Sequence, residues 1–401
     1  MARQVVYKAM NQYQPRLPSS NAYDYYISAA RQLKSPGMYV GSQQPPTREE
    51  VRWIELNQDT FNTLRQGYTK PYRWPFQGIG LGFLFDDFGR VRNLARLVNA
   101  RIRRAIASKD GMDAVSDWRI GFKMARDMQG DLIVVYLVGV AVEAIIHAPI
   151  IQELDFFSAH ECRELARTLI KSERTPDRIG TVVEGELRYT LRTIDQLLPE
   201  HGLTPQQLHE FLDGLAMSGE ESDPETDQLV ENLKADAQRL LRQPAAYHRL
   251  RQELRREIVR TFQALSDSLA LRSGRYRPMV LRQYDTNTLF GYLMSEYSFL
   301  PKLPERYWDV RTRRRLLIAH LLLRKYRLRE GHYPSTLEAL NMEELAIDPF
   351  SRRPLIYRLT GERYLLYSVG ADGKDDGGHN PSLKRDGELP RDLFLMRGGW
   401  R

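Results

Sequence analysis

The chain has 401 residues, 42% hydrophobic and 27% charged, with a formal charge of +8 and one cysteine. That apolar fraction can bury a substantial core and excludes a disordered tail or a fibre, and the length suits two domains. The single cysteine excludes an internal disulfide and any multi-cysteine metal cluster, while a modest positive charge interleaved with acids permits polyanion contact without demanding it.

In chain order, no secretory signal is expected at the start, because MARQVVYKAMNQYQPRLP has only Val5 and Val6 as an apolar nucleus. Residues 1–80 read as an extended, irregular arm with short helices at Asn21–Leu33 and Thr47–Gln66. It carries Pro15, Pro18, Pro36, Pro45, Pro46, Pro71 and Pro75 and many rings, including Tyr23, Tyr25, Tyr26, Tyr39, Trp53 and Tyr68. The run Tyr68-Thr69-Lys70-Pro71-Tyr72-Arg73-Trp74-Pro75-Phe76 is expected to pack against its own domain; a stacking surface for a polysaccharide or peptide is the alternative.

Residues 81–304 are expected to form an α-helical domain. Val91–Ser108 and Met112–Met128, joined by Lys109-Asp110-Gly111, resemble a tetratricopeptide-type hairpin, without a second copy at that period. Leu132–Ile151 is about long enough to span a membrane, but Glu143, His147 and Pro149 favour a buried helix of a bundle. Ser158 and Glu161 make a capping box opening a helix to Lys171, on which Cys162 sits beside Leu165, Ala166 and Leu169 as a buried thiol. Thr204-Pro205 starts a further helix, Ser218–Glu225 is an acidic loop, and Gln243–Leu271 and Tyr284–Leu300 are helical stretches separated by the break at Arg272–Pro278. The turn Pro301-Lys302-Leu303-Pro304 is the expected domain boundary.

Catalytic constellations in this region are sparse. Glu143 and His147 share a helical face and suit a metal or an acid–base pair, yet no second pair completes a site, and a core histidine bonded to its neighbour is the favoured reading. Glu164 stands where His160-Glu161 would need the second histidine of a zinc protease, and Glu184 and Glu186 diverge on a helix. Asp87-Phe88-Gly89 lacks the rest of a kinase signature, and the sequence has no Gly-rich phosphate loop, nucleophile elbow or dinucleotide fingerprint.

Residues 305–401 form the third segment. Leu316, Ala319, Leu323 and Tyr326 lie at helical spacing, bracketed by Arg311 and Arg313–Arg315 before and Arg324–Arg329 after, which reads as a packed helix with a basic exterior. Gly331 and Pro334 should end it. Ser335 and Glu338 form a capping box for a short helix at Thr336–Leu340, and two strands, Pro354–Leu359 and Arg363–Val369, flank a Thr360-Gly361 turn.

The loop that follows places three carboxylates, Asp372, Asp375 and Asp376, among four glycines, an arrangement whose repulsion a hard cation would relieve. An EF-hand is excluded, because counting from Asp372 puts Lys374 at the third position and Leu383 at the twelfth. A solvated acidic turn with Lys374 as partial counter-ion is the other reading.

The order RRRLLIAHLLLRKYRLREG, HYPSTLEAL, DPFSRRPLIYR, YLLYSVGADGKDDGG and RDLFL resembles the soluble domain of the type II secretion major pseudopilin. That resemblance implies a small α+β module binding one calcium ion, with Asp372, Asp375, Asp376 and Asp392 as ligands and the carbonyl of Ser368 as a weaker one; Lys384 and Arg385 between them would oppose a cation. It also implies a membrane helix at the start of the protein, which conflicts with the reading of the opening residues: either such a helix has been removed or the module is used without an anchor. Together with Asn21-Ala22-Tyr23-Asp24-Tyr25-Tyr26 and the helical hairpins, the arrangement resembles a group of planctomycete-type envelope proteins with a helical domain and this module, a group without an assigned activity.

The expected fold is mainly α, a helical bundle with a tetratricopeptide-like hairpin followed by the small pseudopilin-like domain. The expected role is non-catalytic: an extracytoplasmic, membrane-proximal component of a bacterial envelope complex, binding other envelope proteins or copies of itself. Two alternatives stay open. One is a nucleic-acid or polyanion binder using Arg249–Arg260, Arg311–Arg315 and Arg324–Arg329, and the other is a hydrolase around Glu143, His147 and Glu184.

Overall fold

A computed structural model describes residues 14–34, 45–75, 86–130, 132–216, 224–271, 276–378 and 392–395. Tyr39, Phe76, Ser218–Asp223, Arg272–Arg275, Lys384 and Arg385 lie outside these residues. The described chain is mainly helical, with thirteen α-helices and one two-stranded sheet.

The first segment is more helical than its prolines suggest. Helices α1 (Ala22–Gln32), α2 (Arg48–Leu56) and α3 (Gln58–Gly67) fall where short helices were expected within the arm, and Tyr23, Tyr26, Trp53, Ile54, Phe61 and Leu64 enter the core. Asn21 caps α1 by accepting from the Tyr23 N–H, and Thr47 and Glu50 form a reciprocal capping box on α2. One helix was expected over Thr47–Gln66, yet the chain breaks at Asn57. Its side-chain amide donates to Trp53 O (2.9 Å) and its oxygen accepts from Lys34 N (2.8 Å), so the asparagine competes with the helix for backbone groups. The aromatic run packs inward as expected: Tyr72 is buried, Ala22 N donates to Pro71 O at 2.9 Å, and the Tyr23 ring lies edge-on to Tyr72 and Trp74.

Helices α4 (Asp86–Ala107) and α5 (Gly111–Asp127) form a hairpin, with Asp110 capping α5 through the Asp113 N–H, and α6 (Ile133–Gln152) packs against both. Gly139 sets that approach, since a Cβ there would lie 2.7 Å from Ala125 O and 2.9 Å from Gln129 N. Helix α6 is the one helix among the described residues long and apolar enough to cross a membrane. Its first N–H, on Ile133, donates at 3.1 Å to the fully buried carboxylate of Glu186, which complements the positive end of the helix.

The Ser158–Glu161 capping box opens α7 (Ala159–Arg174), followed by α8 (Ile179–Leu197), α9 (Pro205–Ala216), α10 (Pro224–Leu241) and α11 (Pro244–Leu269). Cys162 is fully buried, and burial pushes its thiol up to about 12. Only Leu289–Ser295 (α12) of the expected Tyr284–Leu300 helix forms, because Asp285 turns the chain by accepting from Asn287 N (2.9 Å) and Thr288 caps the helix that follows.

Helix α13 (Lys302–Glu330) starts inside the expected boundary turn. Pro304 is tolerated there because first-turn N–H groups have no intrahelical acceptor, and Gly331 ends the helix at φ 82° as expected. Beyond it, Leu337–Leu340 and Glu343–Ala346 are single 3₁₀ turns, and the Ser335–Glu338 capping box does not form; the chain enters from Pro334, whose carbonyl accepts from the Tyr357 hydroxyl at 2.8 Å. Strands β1 (Ile356–Thr360) and β2 (Arg363–Tyr367) pair antiparallel with Thr360 opposite Arg363, so the turn is Gly361-Glu362, one residue later than expected.

The apolar interior divides into two cores. One joins α1–α7 to Leu316–Leu323 of α13 and to Tyr333, Leu345, Leu355, Tyr364 and Leu366 of the C-terminal module. The other joins α8, α10, α11 and α12 to Leu303, Tyr307 and Trp308 of α13. Helix α13 therefore contributes to both.

Candidate functional site

The acidic loop is built largely from its own hydrogen bonds. Asp372, exposed, accepts from Lys374 N at 3.0 Å. Asp375 accepts from the Tyr367 hydroxyl (2.7 Å) and Gly377 N (2.8 Å), with Arg358 at 3.3 Å. Asp392 returns beside them and accepts from Asp376 N (3.2 Å) and Gly378 N (2.9 Å). Ser368 pairs with Leu393 in both directions, and its carbonyl accepts from Leu393 N at 2.7 Å. Among the described residues no group of three or more Asp, Glu, His or Cys is placed to hold a metal ion. The loop nonetheless carries electrostatic strain: burial, with Asp376 and Asp375 nearby, pushes the Asp392 carboxyl up to about 6.

Sequence reading missed Asp348 in this region. It is buried and accepts from Phe350 N (2.9 Å) and Val369 N (3.2 Å), tying the turn before β1 to the end of β2, and its Asp-Pro context signals only a turn.

A second polar cluster lies between α5, α6, α7 and α13, where Arg314 is 3% exposed. Its Nε and Nη2 donate to the two oxygens of Glu143 at 2.5 and 2.6 Å, Nη2 also reaches Gln129 Oε1 at 2.6 Å, and Nη1 donates to Glu173 Oε1 at 3.0 Å. Arg311 donates to Glu173 Oε2 at 3.1 and 3.2 Å and to Asp177 at 3.3 Å, and the Tyr307 hydroxyl also donates to Asp177. Arg315 approaches Glu173 at 3.7 Å and donates to Ile347 O (2.5 Å) and Glu344 O (3.0 Å), carrying the cluster into the C-terminal module.

Bidentate guanidinium–carboxylate pairs of this kind are strong only when every oxygen is matched, as here. Burial alone would raise the Glu143 carboxyl, but Arg314 and then His147 hold it well below the usual carboxylate range. Glu173 is likewise held low, by Arg314 and Arg311 acting against burial. The expected basic exterior of α13 is corrected on this face, because Arg314 and Arg315 are buried, where Glu143 of α6 and Glu173 of α7 match their charge.

Glu143 and His147 do meet, with Oε1 3.3 Å from Nε2. Trp118 Nε1 donates to His147 Nδ1 at 3.0 Å, and an indole N–H can only donate, so the imidazole proton sits on Nε2 facing Glu143. Glu184 is not brought to this pair; it is exposed on α8 with Arg188 at 3.8 Å. The arrangement can fix charge in the interior and hold helices in register. Arg314, which closes it, could not be assigned from sequence because three consecutive arginines give no sign of which one turns inward.

Comparisons with protein-family models, with curated proteins and with solved structures found nothing that matches this chain.

Proposed function

We propose that the chain is a non-catalytic structural component of a bacterial cell-envelope assembly, in which the helical body, with its tetratricopeptide-like hairpin, contacts other proteins and carries a pseudopilin-like C-terminal module. The observation that carries this reading is the commitment of Glu143, Glu173 and Arg314 to one another inside the protein. Side chains that would otherwise suit acid–base chemistry are spent on bracing α13 against α6 and α7. Arg315 extends the brace to the module, as a scaffold that transmits position between two binding faces requires.

Calcium belongs to this proposal as the ligand of Asp375, Asp376 and Asp392, with Ser368 alongside. Support comes from the return of Asp392 beside Asp376, where burial first and then the charges of Asp376 and Asp375 raise its carboxyl, and a contribution from Asp372 would require it to leave the Lys374 N–H. Thermal unfolding in millimolar calcium against excess chelator checks it: a rise of a few degrees in calcium is expected, lost in Asp375→Asn, and equal melting temperatures would remove the metal.

The role itself is tested by tagging the full chain in its native bacterium and fractionating the cells. The expected result is recovery with the envelope in a particle larger than the 46.7 kDa monomer. A monomer confined to the cytosol would overturn the proposal.

A further inference from the structure

One face of α6 is unlike the outer face of a soluble helix. Every residue between Val134 and Ile151 that is not buried is apolar, along a line from Val134 through Leu137, Ala141, Ala144 and Ala148 to Ile151. Ala144 is exposed and the others are half-buried. Steps of three and four residues keep the line on one side of the helix, and at 1.5 Å per residue it runs for about 26 Å. An ordinary surface helix turns charged or polar side chains outward there. The opposite side is committed, because Glu143 pairs with Arg314 and His147 accepts from Trp118 inside the protein. Helix α6 cannot cross a bilayer without giving up those contacts, so whatever covers the strip meets it at the surface of the protein.

The strip has a basic flank. Asn99 of α4 donates to Ile145 O at 2.7 Å, which places the Asn99 side of α4 beside α6. Arg96 and Arg92 precede Asn99 at helical spacing and share that side. Both are exposed, neither forms an ion pair among the described residues, and Arg96 donates to the neutral Asn93. Arg103, further along the same side, is the contrast, since it is fully buried and pairs with Glu50 at 2.6 Å. Between Phe88 and Ala107 the sequence of α4 has no acidic residue. The acids that follow α6, Glu153 and Asp155, lie beyond the C-terminal end of the strip, where Arg324 approaches Asp155 at 3.8 Å.

We propose that this face rests on an anionic lipid surface, with the apolar strip of α6 against the acyl chains and Arg92 and Arg96 meeting the phosphates. The strip offers no side-chain donor or acceptor that would orient a protein partner, whereas acyl chains need none, and guanidinium groups at its edge match anionic headgroups. Such contact needs no partner protein, so purified chain and vesicles test it apart from the envelope role.

The test is flotation of the purified full chain with phosphatidylcholine vesicles, with and without phosphatidylglycerol. The chain should float with the anionic vesicles and stay behind with the neutral ones. Arg92→Gln and Arg96→Gln, on exposed side chains, should each weaken binding about fivefold, the effect of one basic residue at such a surface. Ala144→Asp puts a charge at the exposed position of the strip; it should keep a melting temperature close to the wild type and weaken binding about tenfold. Arg249→Gln, on the exposed face of α11, should leave binding unchanged. Absence of binding to anionic vesicles, or wild-type binding by Ala144→Asp or by both arginine variants, would overturn the proposal. So would a lipid-free dimer that Ala144→Asp dissociates, because the strip would then belong to a second copy of the chain.

Discussion

Arg314 is the residue on which the buried charges between α6, α7 and α13 depend. Its removal would leave Glu143 and Glu173 buried without their main partner, and breaking a buried pair in that way costs about 3–5 kcal/mol. Arg314→Met, which keeps the apolar stem, should therefore lower the urea midpoint severely, whereas Arg313→Met, on a half-exposed neighbour paired with Asp309, should change stability by less than about 1 kcal/mol. Asp392 makes a different prediction. Its folded pKa of about 6 lies above the ordinary value of 3.8, so the folded chain holds that proton more tightly than the unfolded chain. The resulting stabilisation is fully present below about pH 4 and is lost as pH rises through about 6. Melting temperatures measured across that window should fall less steeply in Asp392→Asn than in the wild type without calcium; identical slopes would show that the carboxyl does not titrate there.

At the level of elements, helix ends were legible where a short polar side chain sits before an amphipathic run. Ser158 and Gly331 act as read, because capping depends on neighbours three or four residues away, whereas the Ser335–Glu338 box, read in the same way, does not form. Asn57 and Asp285 were missed for the converse reason: their side chains divert the backbone into local bonds that a hydrophobic period does not record. The short helices of the first segment were legible from their period, but not how far its rings enter the core: Tyr23 and Tyr26 belong to one buried cluster with residues of α4 and α5, which composition does not record. Close approach between helices is likewise a tertiary fact. Gly139→Ala would push a methyl group against the backbone at Ala125 and Gln129, neither of which can yield by rotating a side chain. Thermal unfolding should show a loss of about 1–3 kcal/mol, although alanine favours helix by about 1 kcal/mol over glycine. A neutral result would mean that α6 can slide on α5.

For the whole molecule, the helical class was readable from periodicity, and the order helix, turn, hairpin and acidic loop was correctly placed at the end of the chain. The candidate site was readable only in part. Glu143 and His147 stood four apart and do meet, but their partners Trp118, Glu173 and Arg314 come from three other helices and Gln129 from the turn after α5, and no spacing in the sequence connects them. The acidic loop showed its carboxylates but not that turn hydrogen bonds occupy them. What unites the molecule is α13, which enters both cores, meets α7 along its length and reaches the module through Arg315 and Tyr364, whose hydroxyl lies 2.7 Å from His320 Nδ1. Fixed by its buried ion pairs, this helix should make the helical body and the C-terminal module a single mechanical unit. Amide hydrogen exchange of Arg314→Met against the wild type tests it most directly. Exchange should accelerate together in α6, in α7 and in the β1–β2 hairpin; acceleration confined to α13, with the hairpin as protected as before, would show that the two parts are not joined through this helix.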